Sequence, residues 1–204
     1  MAQKPNKITP TDMPFAVFSL EADRDYILAR FISFLGAGFH SRAGYLAQAA
    51  CEKYMKAYTV QEAKHYLAKH NLLELADTCQ HFDSYFGEVE TRRILAQFDI
   101  FEQVGRYGGG AKYDPLAIKT PDIETAGVSI WLGSYLQDLD GFVFKVRGLL
   151  KFEQGGRMDM LSAILSGDTR NVLVGTWNGP PLMQVLTHNN PFFTAPVSPA
   201  PPLA

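Results

Sequence analysis

The chain has 204 residues, 47% of them hydrophobic, which suits one soluble domain with appendages better than two full domains. Its 19 Lys and Arg against 21 Asp and Glu give a net charge of -2, so the whole molecule has no attraction for nucleic acid or an anionic membrane. Any polyanion site must therefore be a local patch. The two cysteines, Cys51 and Cys79, lie among apolar helical positions. This usage favours a reducing cytoplasm over a disulfide framework.

The first predicted helix follows Asp23, with its inner face formed by residues at steps of three and four: Tyr26, Ile27, Phe31, Phe34 and Leu35. It is expected to end near Gly36. Residues 1–14 are polar and carry no apolar run of signal-peptide length, so secretion is not expected. Residues 1–20 are interpreted as an N-terminal extension.

The second predicted helix begins near Ser41 and has a small-residue inner face made of Ala43, Leu46, Ala47, Ala50, Tyr54, Ala57 and Tyr58. The opposite face carries polar residues: Arg42, Gln48, Glu52, Lys53 and Lys56. Arg42, Lys53 and Lys56 form a basic strip that we expect on the outer, solvated side of the helix.

The third and fourth predicted helices run from about His70 to Phe82 and from about Glu88 to Tyr107. The fourth places apolar side chains inward, namely Ile94, Leu95, Phe98, Phe101 and Val104, and it ends at three consecutive glycines, 108–110, which hold a helix poorly.

The fifth predicted helix starts at Thr120-Pro121-Asp122, where a capping residue, a proline and an acid follow one another, and it continues to Leu150. Its apolar stretch, 128–150, is interrupted by charged residues that a membrane span would not tolerate. A short sixth helix is predicted over about Met158 to Ser166. Only the segment 171–176 could be an extended strand.

The segment 179–204 contains seven prolines, which predicts an extended and partly disordered tail, although its aromatic and aliphatic side chains favour a strap lying across the bundle or across a second subunit. The predicted fold is therefore all-α: an antiparallel up-and-down bundle of four or five helices with an extended Pro-rich tail. The expected divisions are the extension 1–20, the bundle 21–153, a short helix with an extended segment 154–178, and the tail 179–204.

Three blocks of sequence, residues 25–31, 38–58 and 70–75, resemble in their order and spacing the first half of a member of the HEPN domain family. The second helix carries an Ala-x-Glu-Lys-x-x-Lys-Ala core at residues 50–57, and a His-x-Leu-x-x-Leu pattern opens the third helix at residues 70–75. The pair Arg106-Tyr107 ends the fourth helix in a similar way. The family-motif residues are Glu52, Lys53, Lys56 and His70. The resemblance implies a helical bundle that forms a homodimer and has a nucleotidyltransferase-type protein partner.

HEPN nucleases use an arginine followed four to six residues later by a histidine, which would supply charge stabilisation and proton transfer at a phosphate. No arginine of this chain has a histidine at that spacing. Arg30 is too far from His40, and Arg92 and Arg93 have no histidine downstream within reach. The resemblance therefore implies a protein without catalytic residues, and RNase activity is not expected.

Other motifs were weighed for ligands. Glu62 and His65 form one Glu-x-x-His pair, whereas a di-iron site in a bundle needs two. His65, His70 and His81 have no spacing that fixes a zinc site, so no metal and no cofactor is expected.

The candidate ligand groove is formed by basic residues that alternate with tyrosine along and just after the fourth helix. Arginines beside aromatic rings can hold a phosphate and stack a base. Its residues are Arg92, Arg93, Arg106, Tyr107 and Lys112.

The sequence thus favours a non-catalytic HEPN-like bundle, cytoplasmic and not membrane-bound, which binds a nucleotide-containing ligand, RNA or a partner protein in a toxin–antitoxin or defence-type module. Two alternatives stay open. One is an RNase or toxin component with a deviant active site, and the other is a purely structural interaction bundle.

Overall fold

A computed structural model describes residues 13–35, 40–65, 67–107, 135–152, 159–166 and 179–194. Within these ranges the chain forms seven α-helices and no strand, so the all-α prediction is confirmed. No described helix is long and apolar enough to cross a bilayer. In chain order the helices are α1 Met13–Ser33, α2 His40–Ala63, α3 Leu72–Cys79, α4 Val89–Tyr107, α5 Tyr135–Leu149, α6 Met160–Ser166 and α7 Gly179–Thr187.

Helix α2 is the centre of the described core, since it packs against α1, α3, α4 and α5. Its buried face is rich in alanine, as the sequence predicted, which lets α1 approach closely through its own Ala22 and Ala29. At Gly44 an added Cβ would lie 2.5 Å from the ring of Phe101, so glycine is required where α4 crosses α2.

Helix α1 begins at Met13, so the prediction that it starts after Asp23 is wrong. Proline is tolerated in the first turn of a helix, and Pro14 occupies that turn. Asp23 lies buried in the middle of the helix instead of at its start. The predicted inner face is only partly right, because Tyr26 and Ile27 are buried but Phe31, Phe34 and Leu35 are exposed.

Helix α3 is shorter than predicted because the side chain of Asn71 caps its first turn, where Oδ1 accepts the Glu74 N–H at 2.9 Å. The chain turns after Cys79 and forms a short 3-10 helix, Ser84–Gly87, which Asp83 caps by accepting the Tyr85 N–H. Helix α4 then runs to Tyr107 as predicted.

The described part of the C-terminal segment contains helix α7, so the prediction that residues from Gly179 onward are extended is wrong for 179–187. Pro180 and Pro181 fall in the first turn of α7, where their missing N–H groups would have no helical partner. The described residues of this segment, 179–194, are called the strap below: α7 packs on α1, and Leu186, Asn190 and Phe193 are buried.

Helices α5 and α6 match the last part of the fifth predicted helix and most of the sixth. The predicted start of the fifth helix at 120–122, the glycine run 108–110, the possible strand 171–176 and the end of the tail lie outside the described residues.

Candidate functional site

The two described arginines of the predicted ligand groove are matched by carboxylates on different elements. Arg92 on α4 donates to Asp77 of α3 at 2.6 Å. Arg93 bonds Glu90 at 2.8 Å and also Asp138 of α5 at 3.0 Å. The two guanidinium groups therefore turn toward different neighbours and do not converge on one site. The side chains of Arg106 and Tyr107, and all of Lys112, lie outside the described residues.

Three of the four family-motif residues, in contrast, are brought together: Lys56 and His70 both contact Glu52. Its Oε1 accepts from Lys56 Nζ at 2.7 Å and lies 3.0 Å from His70 Nδ1. Gln48 Nε2 lies 3.4 Å from the other carboxylate oxygen and donates to the His70 carbonyl at 3.2 Å. This cluster holds the segment before α3 against α2.

Glu52 and Lys56 are only 7% and 5% exposed, so the prediction that Lys56 belongs to a solvated basic strip is wrong. The long apolar stem of a lysine can lie along the core while its ammonium reaches a partner. Lys53, also assigned to that strip, is half-buried and pairs with Asp25, and Arg42 alone of the three is exposed.

A buried ion pair joins α1 to α5 and to the strap. Arg30 is 0% exposed and bonds Asp140, whose other carboxylate oxygen accepts from Tyr26 Oη at 2.7 Å. The same guanidinium donates to the carbonyls of Val185 at 2.9 Å and His188 at 2.5 Å. Burial raises the pKa of Asp140, and the charge of Arg30 opposes that rise. Arg30 is therefore a structural cation with no access to a ligand.

A second buried network lies about two helical turns before Arg30 on α1, at Asp23. Asp23 accepts from Tyr54 Oη at 2.6 Å and from Arg147 of α5, which also bonds Asp159 ahead of α6. Burial raises the pKa of Asp23, while Arg147 lowers it. The Oδ2 atom of Asp23 has no hydrogen-bond partner among the described residues.

The outer side of α1 carries a row of five positions separated by alternating steps of four and three. We call this row the α1 seam; its members are Val17, Glu21, Arg24, Leu28 and Phe31. All except the half-buried Glu21 are exposed, with Leu28 at 45% and Phe31 at 47%. Such 3.5-residue spacing is what a helix presents to a second helix in a coiled coil.

The sequence prediction missed both the buried arginine and the seam. Arg30 was considered only as a distant partner of His40, and Phe31 was assigned to the core. One signal was present, because Arg30 and Asp140 are opposite charges that each interrupt an otherwise apolar helix face. What the sequence does not show is that the two helices meet there.

No group of three metal-ligating side chains occurs among the residues that the structure describes. Both cysteines are buried, and burial raises the pKa of Cys79 to about 12, so neither thiol is a ready nucleophile. Comparison of the chain with protein-family models, with curated proteins and with solved structures found no match.

Proposed function

We propose that this chain is a non-catalytic, HEPN-like antiparallel helical bundle whose function is to bind protein, and that the partner at its main interface is a second copy of itself. The observation that carries the proposal is the α1 seam, an exposed heptad row on a helix whose other face is the core of the bundle.

The seam is suited to self-pairing because it contains its own charge complement. An antiparallel pairing of two α1 helices in which residue numbers sum to 45 puts Val17 opposite Leu28, and Phe31 opposite the first turn of the other helix. It also puts Glu21, which lies 2.5 Å from Arg24 of its own helix, opposite Arg24 of the second copy. A two-fold axis repeats each of these contacts twice. From Val17 to Phe31 the seam is about 21 Å long, since an α-helix rises about 1.5 Å per residue. Polar residues inside an apolar seam also select one register over others.

Oligomeric state tests the proposal. Analytical ultracentrifugation of the parent should show a dimer, and the variant Leu28→Glu/Phe31→Glu should be monomeric with an unchanged helical circular dichroism spectrum. The matched control is Val89→Glu/Ile100→Glu, which places the same charges at two exposed apolar positions of α4 and should leave the dimer intact. A monomeric parent, or a dimeric seam variant, would overturn the proposal.

A charge swap tests the register itself. Glu21→Arg alone and Arg24→Glu alone each place like charges across the axis and should weaken the dimer. The double swap restores opposite charges and should recover it. If the dimer of the double swap is as weak as those of the single variants, the two copies pair in a different register or the seam binds a different protein. Binding of a co-purified nucleotidyltransferase-type protein at the same residues would identify the second case.

The nucleotide-binding alternative has weaker support, because Arg92 and Arg93 each have carboxylate partners. It is tested by replacing Arg92, Arg93 and Arg106 with glutamine and titrating fluorescent ATP or a short RNA at low salt. Gln replacement of three exposed cations, Arg42, Lys69 and Lys151, is the control. Binding by the parent that is lost only in the first variant would revive the nucleotide alternative.

The RNase alternative is tested by incubating the purified protein with single-stranded RNA, which we expect to remain intact. Arg30, one of the arginines considered for a nuclease pair, has a guanidinium that is sealed from solvent by Asp140 and by the strap carbonyls. Cleavage that disappears in His70→Ala or in Arg106→Ala would overturn the non-catalytic assignment.

A further inference from the structure

A cleft of about 370 Å³ opens between the end of α5, the start of α6 and the strap. Three phenylalanines line it: Phe144 of α5, Phe152 just after the end of α5, and Phe193 of the strap on one side. Phe144 is half exposed and touches the rings of Phe192 and Phe193, whose centroids lie 5.6 and 5.7 Å away. Small-molecule sites are commonly concave and apolar, with a few polar groups, in this range of volume.

The charged side chains in the cleft wall are of two kinds: those already paired, and one cation, Lys145, with no ion pair to a described residue. Arg147 bonds Asp23 and Asp159, and the Ser162 hydroxyl donates to Asp159 at 2.6 Å, so these groups are already occupied. Lys145 makes no ion pair with any residue in the described ranges. Its ammonium lies 5.6 Å from the centre of the Tyr85 ring, an attraction that an anion can replace.

A glycine in the cleft wall is the second observation. Glycine lowers the stability of a helix, so its presence inside one usually has a packing reason. At Gly141 that reason is visible, because an added Cβ would lie 3.1 Å from the ring of Phe192. At Gly148, which lines the cleft, an added Cβ would meet nothing within 4 Å. No described neighbour requires a glycine at position 148, and the missing side chain leaves the cleft open.

We propose that this cleft binds a small molecule with a flat apolar body and one anionic group. The aromatic walls accept the body, Gly148 leaves the space for it, and Lys145 binds the anionic group. The site uses α5, α6 and the strap, so it is independent of the α1 seam.

Two probes of one shape test the site: 2-naphthoate, which carries a carboxylate, and uncharged 2-naphthamide. Titration followed by protein NMR should show both binding to the parent, with the carboxylate tighter. Lys145→Gln should weaken 2-naphthoate about fivefold, the size expected for one exposed charge contact, and leave 2-naphthamide unchanged. Lys151→Gln, which removes an exposed lysine outside the cleft, is the matched control and should change neither.

Filling the cleft is the sharper variant. Gly148→Leu places a side chain in open space and raises helix propensity, so the protein should melt no lower than the parent while losing both probes. The seam variant Leu28→Glu/Phe31→Glu should bind both probes as the parent does. Absence of 2-naphthoate binding to the parent at millimolar concentration, or equal binding by Gly148→Leu, would overturn the proposal.

Discussion

Helices α3 and α1 distribute their side chains in opposite ways. In α3 the apolar residues Leu72 and Leu75 are buried while Glu74 and Asp77 face solvent. In α1 the charged residues Asp23 and Arg30 are buried at 0% exposure, and large apolar residues such as Phe31 are exposed. The difference teaches that burial in α3 follows from its own apolar period, whereas burial in α1 depends on partners supplied from elsewhere in the chain.

Those partners are far away in sequence. Asp140 is 110 residues from Arg30, and Arg147 is 124 residues from Asp23. A buried charge is tolerated only when it is paired and hydrogen-bonded, and each of these pairs also has a tyrosine hydroxyl. The buried charges of α1 are thus paired within one chain, although Asp23 Oδ2 has no hydrogen-bond partner among the described residues, and the exposed apolar side chains of the outer face remain to be explained.

The largest expected effect comes from breaking the buried pair of α1. Arg30→Met removes the guanidinium and leaves the Asp140 carboxylate buried beside Tyr26, so the free energy of unfolding should fall by about 3–5 kcal/mol. Urea denaturation measures this change. Arg24→Met removes an exposed arginine that pairs with Glu21 on the same helix, and it should cost less than about 1 kcal/mol.

The double variant Arg30→Met/Asp140→Leu sharpens the same comparison, because it removes both charges together. It should recover part of the stability lost in Arg30→Met, since no unpaired ion remains. If the double variant is as unstable as the single, the strap carbonyls that Arg30 binds contribute more than the ion pair does.

Ending the chain after Pro191 should have an intermediate effect. The truncation removes Phe193, which is buried against Tyr26 at a ring separation of 5.9 Å, and burial of one phenylalanine contributes about 2 kcal/mol. The strap carbonyls that bind Arg30 remain, so the bundle should stay folded and melt cooperatively in calorimetry. Loss of cooperative melting would show that the strap end is needed for folding.

A smaller effect is expected from the cap of α3. Asn71→Ala removes the acceptor of the Glu74 N–H and the donor to Asp99, which lie 2.9 and 2.6 Å from the side chain. The free energy of unfolding should fall by about 1 kcal/mol. Asn71→Asp keeps the cap but faces Asp99 with a second carboxylate, so a loss larger than that of Asn71→Ala would identify the Asp99 contact as the more important one.

The smallest effect on the folded monomer is expected at the seam. Leu28→Ser/Phe31→Ser changes exposed side chains, so at concentrations where the parent is monomeric the stability should change by no more than about 0.5 kcal/mol per substitution. At concentrations where the parent associates, the parent alone should become more stable as concentration rises. Equal concentration dependence of the two proteins would mean that the seam is not the interface.

Much of the fold could be predicted from local signals. The alanine-rich face of α2, the end of α4 at Tyr107 and the helix near residue 160 all follow from period and composition, and the structure places helices there. The start of α1 could not be predicted in this way, because Asp23 is as suitable for a helix N-terminus as for a buried ion pair. The number of prolines does not predict the helix at Gly179, because Pro180 and Pro181 lie in its first turn, where proline is tolerated.

The candidate site shows the same division. The family resemblance singled out Glu52, Lys53, Lys56 and His70 as a group. The structure brings Glu52, Lys56 and His70 together, with the first two buried and His70 exposed, whereas Lys53 pairs with Asp25. The sequence also singled out Arg92 and Arg93, whose separate carboxylate partners on α3 and α5 no pattern along the chain could show.

By itself the sequence determined an all-helical protein, since helical periodicity is a property of neighbouring residues. Only the tertiary structure decided which charges are buried, which apolar rows remain exposed and where the aromatic cleft lies. The physical reason is that the cost of burying Arg30 depends on groups more than 100 residues away in sequence, which the local pattern does not encode.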